Sequence, residues 1–173
     1  MSYSHYLLVS RYKINRGVRA DISKTGLEQV DLAYMDLNEI QLTLTELNAV
    51  ITGELDYLDW GTDLFYVSSD ATVSRYGDYD KVERTQVSTI ELRDYLMELK
   101  NFKEQCVAGD YYKAVIGQVF TAVKADPSQY KRWATSDIDY LITLDNITFT
   151  LVLEANDFNL TESQYIAQLK RYF

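Results

Sequence analysis

Histidine, cysteine and proline each occur once in these 173 residues, and glycine only seven times. With His5 alone, a site of several imidazole ligands cannot be built within the chain, and no zinc-ligand spacing can be assembled. Cys106 has no partner for an internal disulfide, which fits a reducing compartment, and the cytoplasm is the expected location. The glycines, at 17, 26, 53, 61, 77, 109 and 117, form neither a G-x-G-x-x-G nor a Walker pattern, and no G-x-S-x-G elbow occurs. No cofactor motif is left. Apolar runs of about 18 residues are missing, so no membrane span is expected, and Met1–His5 lacks the basic start of a secretory signal. Asn146-Ile147-Thr148 and Asn159-Leu160-Thr161 fit the glycosylation acceptor pattern, but without export they are expected to be chance matches.

Hydrophobic residues make up 47% and charged residues 25%, ordinary values for a folded chain. One proline and few glycines leave little room for a linker, so a single domain over 1–173 is expected. The net charge of −9 is unevenly placed. Residues 54–83 hold eight acids against Arg75 and Lys81, a local charge of −6. Tyr57, Trp60, Phe65, Tyr66, Tyr76 and Tyr79 are interleaved with them. Residues 1–27 are the opposite, with five bases against Asp21, a local +4. The acidic whole repels phosphates, so nucleic acid is disfavoured as a partner.

The elements are read from periodicity. Tyr6–Ile14 is expected as a strand, with a turn at Asn15-Arg16-Gly17. Val30, Leu32 and Tyr34 alternate, as do Ile40, Leu42 and Leu44, and both runs are expected as strands. Thr45 caps a short helix that Gly53 stops. Asp59-Trp60-Gly61 and Ser68-Ser69-Asp70 are expected as turns around a strand at Leu64–Val67, with Val73–Tyr76 returning and 77–80 a loop.

From Ser88, a capping box with Glu91 opens a helix striped by Leu92, Tyr95, Leu96, Leu99, Phe102, Lys103 and Cys106, ended by Gly109. A second helix carries Tyr112, Val115, Ile116, Val119, Phe120 and Val123, closed at Asp126-Pro127. The two are expected as an antiparallel hairpin near 89–125. Ser128–Trp133 adds a turn. Ile138–Leu144 and Ile147–Leu153 alternate about Asp145-Asn146, a tight β-hairpin near 138–154. Thr161 and Gln164 box the start of a last helix. The expected class is α+β, a mostly antiparallel sheet packed against helices.

Three functional classes fit. In the first, an acidic binding or inhibitor protein neutralises a basic protein, as an immunity protein does with a nuclease-type toxin or a nucleic-acid mimic with its target. There Asp56, Asp59, Asp63, Asp78 and Asp80 supply charge, while Tyr57, Trp60 and Tyr79 anchor the contact. In the second, carboxylates catalyse, with or without Mg²⁺, on a small or sugar-like substrate; a helix would bring Asp56, Asp59 and Asp63 to one face. In the third, the basic end of one subunit meets the acidic segment of another. The first is preferred: solvated acidic loops are commoner than carboxylate sites, and Cys106, on an apolar stripe, reads as an inert buried thiol and not as half of a His5–Cys106 dyad.

Overall fold

The computed structural model describes residues 3–20, 26–80, 82–108, 110–132 and 139–173. In chain order its elements begin with β1 (Tyr3–Ser10), β2 (Lys13–Ala20), α1 (Leu37–Thr52), β3 (Tyr57–Gly61), β4 (Phe65–Asp70), β5 (Val73–Asp78) and β6 (Glu83–Ser88). They continue with α2 (Thr89–Ala108), α3 (Asp110–Ala125), α4 (Pro127–Tyr130), β7 (Lys131–Arg132), β8 (Asp139–Leu144), β9 (Ile147–Val152) and α5 (Glu162–Gln168). Two mostly antiparallel sheets with helices make this an α+β protein, as the sequence predicts. Gly109, Trp133 and Ile138, each given a role from the sequence, lie outside the described residues.

The chain divides into two compact units. Among the described residues, the first comprises Tyr3 and Val18–Phe102, and the second comprises Ser4–Gly17 and Lys103–Phe173.

The first unit is a four-stranded antiparallel meander, β3-β4-β5-β6, with α1 and the first part of α2. Helix α1 overturns the expectation of a strand at 40–44. Ile40, Leu44, Leu47 and Val50 are buried at helical spacing, whereas Leu42 is 61% exposed. The helix starts at a capping box: Asp36 accepts from Glu39 N–H and Glu39 accepts from Asp36 N–H, each at 2.8 Å. Gly53, left-handed at φ 79°, stops it as expected.

The strand expected at 28–35 is also absent. A short 3₁₀ turn covers Leu27–Gln29, Ala33 N–H bonds the Asp31 side chain, and Met35 N–H bonds Leu32 C=O. These local bonds compete with a ladder and leave Tyr34 outside. On the meander, Leu58, Trp60, Phe65, Val67, Ser69, Ser74 and Tyr76 share the inner face, and Phe65, Val67 and Tyr76 are buried there. From α2, Leu92, Tyr95, Leu96, Leu99 and Phe102, the part of the expected stripe that falls in this unit, are all buried.

Most of the sheet β2-β1-β9-β8-β7 belongs to the second unit, while Tyr3 of β1 and Val18–Ala20 of β2 are counted with the first. Its β8–β9 hairpin turns at Asp145 (φ 52°) and Asn146 (φ 62°), two residues that tolerate the left-handed region a tight hairpin needs. The β1·β9 pair is parallel, with His5 opposite Ile147. The first turn falls earlier than expected, at Arg11-Tyr12, where Ser10 Oγ accepts from the backbone N–H groups of Tyr12 and Lys13. Gly17 lies inside β2 instead: an added Cβ would sit 2.0 Å from the Tyr6 ring, so its smallness serves packing and not a turn. Helix α3 buries all six apolar residues predicted for it. Phe120 stacks on Tyr165 of α5 at 4.1 Å between centroids, and the Thr161–Gln164 capping box is present.

Candidate protein-binding surface

All eight residues singled out from the sequence lie in the first unit. Asp56, Tyr57, Asp59, Asp63, Tyr79 and Asp80 are exposed, while Trp60 and Asp78 are half-buried. Tyr57 is 64% and Tyr79 77% exposed, so two of the three expected anchors stand in solvent among carboxylates.

The local fold then divides them. Residues 57–61 form a strand and not the turn expected at Asp59-Trp60-Gly61, because Leu58 and Trp60 alternate with Tyr57 and Asp59 and the run pairs with β4. With no helix there, Asp56, Asp59 and Asp63 do not share a helical face. Tyr57 and Asp59 point to one side of the sheet, Leu58 and Trp60 to the other. The turn expected at Ser68-Ser69-Asp70 is likewise strand, and the chain reverses after Asp70. Strand β5 runs on to Asp78, two residues further than the sequence suggested.

In a meander, alternate turns fall at the same end. Asp63 therefore lies at the same end as Asp78, Tyr79 and Asp80, together with exposed Leu64 and Val82. Asp56 lies at the opposite end with Asp70, and β3 puts about 14 Å between the two ends.

Trp60 turns inward. Its ring meets Phe65 edge-on at 5.9 Å, and Phe65 stacks on Tyr76. Its indole N–H donates to Ser69 Oγ at 3.4 Å, the first link of a hydroxyl chain. Ser69 bonds Ser74 at 2.7 Å, Ser74 bonds Thr89 at 3.0 Å, and the Thr89 hydroxyl donates to Asp70 C=O at 2.7 Å. This satisfies three buried hydroxyls and gives Trp60 a packing role.

The carboxylates differ in how far they are neutralised. Arg84, one residue past the acidic segment, donates to Asp78 at 2.8 Å and to Asp80 at 2.7 Å. Its pKa is raised, first by the bond to Asp78 and then by the Asp80 charge. Asp70 caps its own turn, accepting from Val73 and Thr72 N–H and from the Thr72 hydroxyl, with Arg75 at 3.4 Å. Those bonds hold it well below the usual carboxylate range, the Val73 N–H contributing most. Asp56, Asp59 and Asp63 have no ion pair among the described residues.

The second unit has a concavity of about 600 Å³ between α3 and α5, lined by Asp110, Lys113, Ala114, Glu162, Ile166 and Phe173 among others. Lys113 lies 3.5 Å from Asp110 and over the Phe173 ring, while Glu162 accepts from Thr121 at 2.7 Å. Buried Asp157 knots the unit together, accepting from Arg11, Gln168 and Glu154 N–H at 3.1, 3.1 and 2.8 Å. Burial pushes the Cys106 thiol up to about 11, so it stays protonated near neutrality. Arg16 and Tyr112 are its hydrogen-bonding neighbours.

Among the described residues no group of three or more His, Cys, Asp or Glu side chains could hold a metal ion, and no helix is long and apolar enough to cross a membrane. Comparison with protein-family models, with curated proteins and with solved structures gave no match.

Proposed function

We propose that the protein is a cytoplasmic acidic binding protein that captures and neutralises a basic protein, as an immunity protein does with a nuclease-type toxin. The observation that supports this most is the exposure of Tyr57, next to Asp56 and Asp59, and of Tyr79, next to Asp80 and at the same end of the meander as Asp63. Exposed carboxylates raise the encounter rate with a cation, and rigid rings add contact area at small entropic cost. Asp56, Asp59 and Asp63 supply steering charge. Asp78 and Asp80, shared with Arg84, fix the geometry of the turn that presents Tyr79. Tyr57 and Tyr79 act as the anchors, and Trp60 supports them from inside.

The test is affinity capture at low ionic strength from the native host, followed by a salt series. A basic protein should be retained, elute with salt, and associate more slowly with the Asp59→Asn/Asp63→Asn double variant. Retention that ignores both salt and the double change refutes the proposal.

A further inference from the structure

We propose that the open edge of β3 is where the partner docks, by adding an extended strand that alternates basic and apolar residues. This rests on the basic-partner reading and specifies its geometry.

Strand β3 is the terminal strand of the meander, and among the described residues none pairs with its outer side. The ladder fixes which backbone groups are left over. Thr62 N–H donates to Phe65 C=O at 2.9 Å, so Thr62 and Phe65 form a hydrogen-bonded pair. In an antiparallel ladder such pairs alternate, which makes Trp60–Val67 and Leu58–Ser69 the bonded pairs. The N–H and C=O groups of Tyr57, Asp59 and Gly61 therefore point outward, a ready template for another strand.

The side chains say what that strand carries. On one face β3 offers Tyr57 and Asp59, both exposed; on the other, Leu58 and Trp60 continue toward buried Phe65 and Val67. An added strand extends both faces only if it is basic on the first and apolar on the second. Asp59 has no ion pair among the described residues, so a Lys or Arg opposite it makes an unopposed cross-strand pair. Pairing with a second copy centred on Asp59 would set two Asp59 carboxylates against each other, which disfavours self-association through this edge.

The probe is a short peptide alternating valine with lysine, compared with the same peptide N-methylated on alternate backbone nitrogens. Binding is read by fluorescence anisotropy of the labelled peptide, and amide exchange is read residue by residue. The inference expects saturable binding of the plain peptide and protection of the Tyr57, Asp59 and Gly61 amides. It expects loss of binding on N-methylation, and about tenfold weakening by Asp59→Lys with thermal stability unchanged. Equal binding of both peptides, weakened by Asp63→Asn/Asp80→Asn but not by Asp59→Lys, overturns strand addition and leaves the acidic-receptor reading standing. No binding of either peptide at low salt overturns both.

Discussion

Trp60→Ala separates a packing role from a contact role. The side chain is half-buried on the inner face of the meander, edge-on to Phe65 at 5.9 Å, with its N–H on Ser69. Full truncation of a buried aromatic costs about 3–5 kcal/mol, and half-burial brings this to about 2 kcal/mol. The lost ring pair adds about 1 kcal/mol, and the hydroxyl chain from Ser69 to Thr89 loses its first donor. A total of about 3 kcal/mol corresponds to a fall in Tm of about 6–12 °C for a chain of this size. Differential scanning calorimetry and near-ultraviolet circular dichroism measure it, and Trp60→Phe should recover most of the packing without the donor. If Trp60→Ala leaves Tm within about 1 °C of the parent while speeding dissociation of a basic partner, the ring is a surface anchor and the inner-face assignment fails.

Four further outcomes are expected. Asp157→Ala removes a carboxylate that is 1% exposed and accepts three hydrogen bonds, so it should destabilise by about 2–4 kcal/mol in chemical denaturation. Asp70 titrates in the folded protein well below its ordinary value of 3.8, so its contribution to stability is fully present above that pH and is lost as pH falls toward the folded value. The stability gap between parent and Asp70→Ala should therefore be constant near neutrality and close below about pH 4, as read by urea midpoints across pH. Gly61→Ala should unfasten β3, because at φ 150° the new Cβ would sit 2.3 Å from Phe65 C=O; amide exchange at Trp60 should speed by about tenfold or more. Arg84→Ala unmasks Asp78 and Asp80 and should raise the association rate with a basic protein severalfold at low salt, with little change in Tm.

The parts of the fold legible in the sequence are those whose signals are local. Asp145-Asn146 between two alternating runs, the Thr161–Gln164 box, and the apolar stripes of α2 and α3 each needed only neighbouring residues. Helix α1 is ambiguous in the sequence because Ile40, Leu42 and Leu44 fit period two, while Ile40, Leu44 and Leu47 fit a helix equally well; the Asp36–Glu39 box is the local signal that decides it. In the acidic segment, aspartate and glycine at 59–61 suggested a turn, and pairing with β4 overrode that local preference. The parallel pairing of His5 with Ile147 joins residues far apart in the chain, beyond any local pattern. Of the candidate surface, composition indicated the acids and rings, but only the ladder shows which faces Tyr57, Asp59 and Trp60 take. Arg84 lies one residue past the charged segment, so composition does not mark it, yet it is the group that distinguishes Asp78 and Asp80 from Asp56, Asp59 and Asp63.

In the proposed function, the carboxylates of the first unit that lack an ion pair steer a cationic protein onto it. Stopped-flow association with the captured basic partner, across ionic strengths, tests it most directly. The association rate is expected to fall steeply with salt and to drop severalfold in Asp59→Asn/Asp63→Asn, while dissociation changes little. A rate that is flat with salt and identical in the double variant would contradict it.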